Sequence, residues 1–384
     1  MALRIYDPGE RALVAAADAL LWPVAHARRL RRRGATSIRR VLCLRLERIG
    51  DLLMTLPALA ELRAALPEAR IDLAVGSWNR QIAAAIPGID AVDTVDPAWL
   101  ARGHAGLNAV ALARHAARWR VRGYDLAINF EPDVRTNVAL AAAGAQRTAG
   151  FYSGGGGALL DVALDYDPAA HTADNALRLV RRVLGREDGG TPAAALRIPE
   201  VTRAEAGARL QALPGGTRIG MHVSGGRAVK QWPEARFREV AFRLIEDRGA
   251  SLVLTGTEAD RHQIEIVRTG LPADRVLDLS GVDLLTVAAV LQQLDLLVTG
   301  DTGPMHLAHA VGTPVVAVFG ASDAKRYAPR GLHDQIVRVD LPCSPCNRIR
   351  RPPARCTGHT PDCLTGVETA AVLDAVDEIL GARR

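Results

Sequence analysis

Polar residues of several kinds follow apolar runs in the second half of this chain of 384 residues, where strands are predicted to end. They supply hydroxyls and amides, a mobile positive charge, an acid that suits a ribose diol, and an imidazole beside a helix start. A diphosphate with a ribose is the ligand that uses all of these groups together. The candidate residues are Ser224, Gly225, Lys230, Glu258, Asp301, Thr302, Gly303 and His306.

The segment 300–309 carries the clearest of these patterns. The apolar run Leu296–Thr299 precedes it and the apolar run Pro314–Gly320 follows it, which predicts a strand, a turn, a helix and a second strand. Pro304 suits the first turn of that helix, where a missing N–H costs nothing. The open amides at the helix start then favour an anion such as phosphate.

Each candidate also has an ordinary structural interpretation. Ser224 would cap a helix, and Lys230 and Glu258 would lie on a solvated surface. His306 would be a helix histidine whose hydrogen bonds are satisfied. These alternatives stay open for each residue taken alone, but polar loops at successive strand ends favour one shared site.

The elements that position these loops alternate between strand and helix, which predicts parallel sheets in both halves. A polar, glycine-rich stretch near residue 190 separates the halves. The predicted fold class is therefore α/β, with two doubly wound domains and a ligand in the cleft between them. The predicted strands are 41–46, 71–75, 91–95, 125–130, 218–223, 251–256, 296–299 and 314–320.

Composition narrows the choice of partners. The formal net charge is +6, so anionic partners are expected: nucleotides, a phosphorylated glycolipid or a membrane surface. Nucleic acid is not expected, because the sequence shows no nucleic-acid motif and no basic stripe with interleaved aromatics. No secretory signal is evident, which predicts a cytoplasmic location.

Residues 1–39 form an appendage to this pattern. A helix is predicted from Pro8 onward, and it ends in the basic run Arg28–Gly34. Its apolar part is too short to span a bilayer. Two interpretations stay open: an interfacial helix on anionic lipid at the inner face of the inner membrane, or a helix packed on the protein body or a second subunit.

Three groups of residues are more specific together than any of them alone. They are Arg48-Ile49-Gly50-Asp51 with Thr55-Leu56-Pro57-Ala58-Leu59, His222-Val223-Ser224 with Lys230-Gln231-Trp232-Pro233-Glu234, and Asp301-Thr302-Gly303-Pro304-Met305-His306-Leu307. In these residues the sequence resembles glycosyltransferase family 9, the heptosyltransferases of lipopolysaccharide assembly. The resemblance covers nearly everything after residue 39.

The resemblance implies a GT-B fold, in which two facing Rossmann-like domains enclose a cleft. It implies a nucleotide-sugar donor, typically ADP-heptose, held by the second domain, and a lipid-linked or glycan acceptor held by the first. Transfer inverts the anomeric carbon and requires no cofactor. The expected divisions are a basic helical extension at 1–39, an acceptor-side domain at 40–190, a donor-binding domain at 191–366 and a C-terminal helix at 367–384.

The residue roles of the family carry over by position. Asp51 matches the proposed general base, although it would also serve as a helix cap, and Lys230 matches the lysine on the donor phosphates. Ser224 and Gly225 match two hydroxyl residues, so the glycine departs from the family. The remaining donor-binding matches are Glu258 for the ribose, Asp301 for the sugar hydroxyls, Thr302, Gly303 and His306 for the phosphates, and Val282 as an apolar residue near the base.

Four cysteines lie in one segment, 343–363, that is rich in proline and arginine. Four thiolates in such a loop fit a tetrahedral structural site for zinc or iron. Similar clusters occur in family 9, and in the autotransporter heptosyltransferases they bind iron. Reduced thiols, or a disulfide pair, are the alternatives. The cysteines are Cys343, Cys346, Cys356 and Cys363.

The sequence therefore predicts an inverting glycosyltransferase that moves heptose or a related sugar onto a lipopolysaccharide core or similar glycan. One alternative is a protein heptosyltransferase of the autotransporter type, which the cysteines favour. Another is a GT-B protein that binds a nucleotide sugar without transferring it. The presence of both Asp51 and Lys230 disfavours that non-catalytic form.

Overall fold

The computed structural model describes residues 3–5, 8–30, 37–101, 105–186, 189–349 and 352–382. The chain divides into two compact units, Met1–Ala194 and Ala195–Arg384. Each unit is built around a parallel sheet, and each sheet has six strands among the described residues. The central strands are continuous apolar runs because helices cover both of their faces: Val41, Leu42 and Leu44, for example, are fully buried.

The first unit has the strand order of a dinucleotide-binding Rossmann fold. Its strands are β1 (Arg40–Arg45), β2 (Arg70–Val75), β3 (Ala91–Thr94), β4 (Leu126–Asn129), β5 (Arg147–Phe151) and β6 (Val162–Leu164). They pair in parallel in the order β3-β2-β1-β4-β5-β6. The chain reverses its direction of winding between β1 and β4, and ligands of such folds bind at this switch point. Its helices are α1 (Pro8–Leu30), α2 (Ile49–Leu53), α3 (Leu56–Ala65), α4 (Arg80–Ala84), α5 (Ala109–Ala117), α6 (Val134–Ala142) and α7 (Thr172–Leu184).

The second unit repeats this order. Its strands are β7 (Arg218–His222), β8 (Ser251–Thr255), β9 (Val276–Asp278), β10 (Leu296–Gly300), β11 (Val315–Val318) and β12 (Gln335–Val337). They pair in parallel as β12-β11-β10-β7-β8-β9, which places the switch point between β7 and β10. Its helices are α8 (Glu200–Leu210), α9 (Glu234–Arg248), α10 (Arg261–Arg268), α11 (Leu284–Leu291), α12 (Gly303–Ala310), α13 (Ala324–Tyr327), α14 (Asp362–Thr365) and α15 (Thr369–Ala382).

The two sheets confirm the predicted α/β class with two Rossmann-like domains. The predicted strands are present within one or two residues, but β5, β6, β9 and β12 were not predicted, because they are short and lie outside clear apolar runs. The single helix expected through 52–62 is two helices. It breaks at Thr55, whose hydroxyl donates to the carbonyl of Asp51 at 2.9 Å.

The N-terminal helix α1 packs on the first unit. The Asp18 carboxylate accepts the N–H of Gly156, and Val14 lies against Gly155. Leu13 and Leu20 point away from the unit, with 74% and 79% of their surfaces exposed. The side chains of the basic run that ends this helix lie outside the described residues. None of the described helices combines the length and apolar character that crossing a bilayer requires.

Candidate active site

Asp51 lies at the switch point of the first unit, in the first turn of α2 just beyond β1. Its side chain is 29% exposed. Its Oδ2 accepts the backbone N–H of Arg48 at 3.3 Å, so the carboxylate does cap its own helix. Its Oδ1 lies 3.6 Å from Nη2 of Arg45. A carboxylate that is held by the Arg48 N–H and the Arg45 guanidinium, and is partly open to solvent, is suited to accept a proton.

Arg45 is a buried charge beneath this carboxylate. It donates from Nε to the carbonyl of Asp51 at 3.2 Å and from Nη1 to the carbonyl of Phe130 at 2.6 Å. Its Nη1 also lies 3.0 Å from Oε2 of Glu47. Burial lowers the pKa of Arg45, but the carboxylates of Glu47, Asp51 and Glu131 more than offset that effect, so its pKa is raised. The guanidinium therefore stays charged and holds the loop after β1.

Glu131 is the second buried charge-bearing group at this switch point, two residues beyond β4. Its Oε1 accepts the backbone N–H groups of Leu46 and, at 3.1 Å, of Glu47. Burial, followed by the nearby Glu47 carboxylate, raises the pKa of Glu131 to about 8, against the opposing effects of Arg45 and of the Leu46 N–H. Glu131 therefore holds its proton to a higher pH than an exposed glutamate does.

The loop after β1 is also held from a third side. The carbonyl of Glu47 accepts hydrogen bonds from Nε1 of Trp78 at 3.0 Å and from Nδ2 of Asn79 at 2.9 Å. The guanidinium of Arg48 lies 4.8 Å from the centre of the Trp78 ring, a cation–π contact. The backbone N–H and the carbonyl of Glu47 are thus both hydrogen-bonded, which fixes the loop that leads to Asp51.

Lys230 and Asp301 form an ion pair at the switch point of the second unit. Lys230 ends the 3₁₀ turn Ala228–Lys230 after β7, and Asp301 follows β10, the neighbouring strand. The Nζ of Lys230 lies 2.8 Å from Oδ2 of Asp301, and the two side chains are 20% and 10% exposed. The sequence alone placed both residues in one site, and the structure brings them into direct contact.

The helix start beside Asp301 has the form that the sequence pattern predicts. Helix α12 begins at Gly303, with Pro304 in its first turn and Thr302 as the N-cap. The Thr302 hydroxyl does not cap the helix; it lies 3.1 Å from the hydroxyl of Thr299 and 3.4 Å from the carbonyl of Gly300. His306 is buried in the second turn of the helix.

The loop after β7 explains the departure at Gly225. A Cβ built on Gly225 would lie 2.7 Å from the backbone of Lys230 and Gln231, too close for any side chain. The amide of Gly225 donates to Oε1 of Gln231 at 2.6 Å, so it serves the loop itself. Ser224 Oγ accepts the N–H of Gly226 at 3.2 Å. The amide of Gly225 is therefore bonded within the loop, and its position leaves no room for a side chain.

Glu258 and Val282 lie further along the same edge of the sheet. Glu258 starts a 3₁₀ turn after β8, and its side chain is 71% exposed. It pairs with Arg261, which lowers the pKa of the carboxyl. Val282 follows β9 and is half-buried. A Cβ built on Gly281 would lie 3.1 Å from Oε2 of Glu258, so the two loops meet.

The C-terminal segment carries four cysteines, of which Cys363 is the buried one. Cys363 is buried beside Gly320, and its pKa is raised to about 11 by burial first and then by the charges of the other three thiols. The segment is anchored by the amide of Asn347, which donates to the carbonyl of Ala321 at 2.8 Å. Within the described residues, however, no group of three or more His, Cys, Asp or Glu side chains is arranged to hold a metal ion.

Two Rossmann-like units, each with charged side chains at its switch point, define a protein of the GT-B class. The chain belongs to glycosyltransferase family 9 (heptosyltransferase), which its sequence matches over residues 112–354. This confirms the predicted family and, with it, the transferase class of its members.

Individual relatives agree with this placement. Lipopolysaccharide heptosyltransferase 1 of Pseudomonas aeruginosa is 36% identical over 118 residues, which are 30% of this chain and 32% of that protein. The chain thus aligns with about a third of that relative's length. The solved structure of ADP-heptose lipopolysaccharide heptosyltransferase II of Escherichia coli superposes with a TM-score of 0.74 at 19% identity, covering 90% of this chain and 100% of that one.

A more distant structural likeness concerns the iron-containing dodecameric glycosyltransferase TibC of enterotoxigenic Escherichia coli. Its TM-score is 0.54 at 14% identity, and the match covers 92% of this chain and 78% of TibC. At these identities both structural likenesses show a common fold.

Proposed function

We propose that the chain is an inverting glycosyltransferase that moves a heptose, or a related sugar, from a nucleotide diphosphate donor to a lipopolysaccharide core or similar glycan. ADP-heptose is the donor we expect first. The observation that carries the proposal is the Lys230–Asp301 pair, held at 2.8 Å beside the start of α12 at a Rossmann switch point. A cation suits the diphosphate, and a carboxylate suits sugar hydroxyls.

The proposed reaction assigns one role to each unit. The Asp51 carboxylate accepts the proton of the acceptor hydroxyl while that oxygen attacks the anomeric carbon. The bond from the anomeric carbon to the diphosphate breaks, and the electron pair leaves with the diphosphate. Lys230 and the amides at the start of α12 stabilise that charge. Because donor phosphate competes with Asp301 for Lys230, we expect the ion pair to open or be shared when donor binds.

The use of lysine at position 230 supports this role. The chain contains 48 lysine and arginine residues, and only Lys230 and Lys325 are lysines. A chain that otherwise uses arginine so heavily retains at this position a compact point charge on a flexible stem, which can follow a phosphate as it departs. Glu258 and Asp301 are proposed to bind the ribose and the sugar, with Val282 as an apolar neighbour.

The test is a donor and acceptor screen with the full-length chain. The protein is incubated with ADP-heptose or other nucleotide sugars, with and without heptose-deficient lipopolysaccharide core, and the acceptor is weighed by mass spectrometry. A heptose mass increment that accompanies nucleoside diphosphate release supports the proposal. Donor binding by calorimetry without transfer to any acceptor would instead favour the non-catalytic alternative.

A second candidate is transfer of the same sugar to protein. The presence of four cysteines within one short segment favours it, since the fold is shared with an iron-containing glycosyltransferase. Adding an unglycosylated autotransporter passenger segment to the same screen separates the two. Mass gained on the polypeptide and not on lipopolysaccharide would select the protein acceptor.

A structural zinc or iron at the cysteines is a separate proposal. Four sulfurs close enough to affect one pKa supply the right donor type, but the described residues do not form a ligand set as they stand, so the sulfurs would have to move together. We therefore derive no step of the reaction through a metal. Elemental analysis of freshly purified protein tests it: a metal-free sample with four titratable thiols at this segment would exclude the site.

A peripheral contact with anionic membrane, on a cytoplasmic protein, is proposed for α1. Its inner face is packed on the first unit, whereas Leu13 and Leu20 form an outward apolar face. Co-sedimentation with vesicles that contain anionic lipid, using wild type and Leu13→Ser/Leu20→Ser, tests this. Equal binding by both proteins would reject this face as the contact.

A further inference from the structure

We propose that Glu131 is a positioning residue for Asp51, which fixes the loop that carries the proposed base. The inference rests on the proposed function, because it concerns how Asp51 is held for proton transfer. Glu131 and Asp51 lie 80 positions apart in the chain and on different strand ends, yet both act on the short segment that follows β1.

The geometry shows how the positioning works. The Glu131 carboxyl accepts the N–H groups of Leu46 and Glu47, which begin the loop. Its own backbone is fixed in turn, since its N–H donates to Oδ1 of Asn129 at 3.1 Å and its carbonyl accepts Nδ2 of Asn129 at 3.0 Å. The clamp is therefore anchored to β4, a central strand of the sheet, and not to another loop.

Arg45 links this clamp to the carboxylate of Asp51. Its guanidinium contacts Asp51 at both the carbonyl and Oδ1, and it contacts the carbonyl of Phe130, the residue before Glu131. With the Glu131 hydrogen bonds in place, the loop after β1 holds Asp51 at a fixed distance from the Arg45 guanidinium. Without it, the loop is released at Leu46, and Asp51 loses its set distance to the guanidinium.

The chain offers a matched control at the opposite end of the same two strands, where β1 and β4 begin. Asp125, just before β4, accepts the N–H groups of Arg39 and Arg40 at 2.8 and 2.9 Å, at the start of β1. This is the same contact between the same strands, but far along them from Asp51. Asp125→Ala should therefore lower stability without changing the turnover number.

The decisive comparison is Glu131→Gln against Glu131→Met. Glutamine keeps an oxygen acceptor of the same reach, whereas methionine keeps the volume and removes it. We expect Glu131→Met to lower kcat about 100-fold, the effect of a displaced catalytic group, while the donor Kd stays unchanged. Glu131→Gln should retain kcat within about threefold, since the acceptor of both N–H groups is preserved. Amide exchange at Leu46 and Glu47 should accelerate in Glu131→Met only.

Specific results would overturn this role. They are an unchanged kcat and unchanged amide exchange in Glu131→Met, or a parallel loss of kcat in Asp125→Ala. If Glu131→Met does not fold, Glu131→Asp shortens the reach by one methylene and should show the same split at smaller size. A wild-type protein that transfers no sugar would sink the proposed function, whereas active wild type with unimpaired Glu131→Met would sink only the positioning role.

Discussion

The fourth strand of each unit is flanked by acids at the same spacing: Asp125 and Glu131 around β4, and Asp295 and Asp301 around β10. The preceding aspartates play the same part, since each accepts backbone N–H bonds at the start of the neighbouring strand, β1 or β7. The acids that follow differ. Glu131 is buried and bound to backbone N–H groups, whereas Asp301 pairs with a lysine that is partly exposed.

This difference shows how one scaffold serves two tasks. An acid after the fourth strand reaches the loop after the first strand because the two strands are neighbours at the switch point. In the first unit it meets backbone and holds a loop still. In the second unit it forms an ion pair with the Lys230 side chain. Under the proposed function, the first unit would supply the base and the second would bind the donor.

Asp51→Asn should give the largest effect and the sharpest test of that assignment. Removing a general base should lower kcat about 10²–10⁴-fold. The donor Kd, measured by calorimetry, should stay the same, because donor binding is assigned to the second unit. Asn108→Ala is the matched control, since Asn108 caps α5 in the same unit by accepting the N–H of Ala111. Near-normal turnover in Asp51→Asn would break the comparison.

Lys230→Met should act on the donor. A hydrogen bond to a charged group is worth about 1.5–3 kcal/mol, so the donor Kd should rise about 10- to 100-fold. Lys325, on the exposed helix α13, provides the control variant Lys325→Met. In the wild type, donor should protect Lys230 but not Lys325 from acetylation, as read by mass spectrometry. Equal modification of both lysines with and without donor would argue against phosphate at Lys230.

Glu131→Gln should show the smallest effect on turnover, and its effect should appear instead in the pH dependence of stability. The pKa of Glu131 is raised to about 8 in the folded protein, so the folded state holds its proton more tightly than the unfolded state does. The wild type then loses unfolding free energy as pH rises from about 4.5 to about 8, by up to about 1.4 kcal/mol per pH unit. Glutamine does not titrate.

The advantage of Glu131→Gln over the wild type in denaturant unfolding should accordingly grow through this pH window and level off above it. A difference that stays constant with pH would mean that Glu131 is not held protonated, and the contrast with Asp301, the lysine-paired acid of the second unit, would lose its basis.

The residues proposed to bind the donor could be predicted from sequence because each lies in a local pattern. The residues of 300–309 and the apolar run before them predict a strand, a turn and a helix, and Lys230 follows β7 within one short loop. Arg45 and Glu131 were missed for a physical reason. Arg45 bonds to Phe130 and Glu131 bonds to Leu46 and Glu47, and both contacts require β1 and β4 to be neighbours. A local sequence pattern does not reveal the order of strands in a sheet. An arginine inside the apolar run 41–46 was the one available signal.

The close approach of the Lys230 and Gln231 backbone to Gly225 limits which substitutions this position can accept. With the backbone of Lys230 and Gln231 2.7 Å from where a Cβ would stand, even alanine or serine cannot be introduced there by a single substitution without displacing that backbone. A hydroxyl side chain at position 225 would require a different conformation of the turn that holds Lys230. Substitution of Gly225 is therefore expected only together with changes in the neighbouring loop.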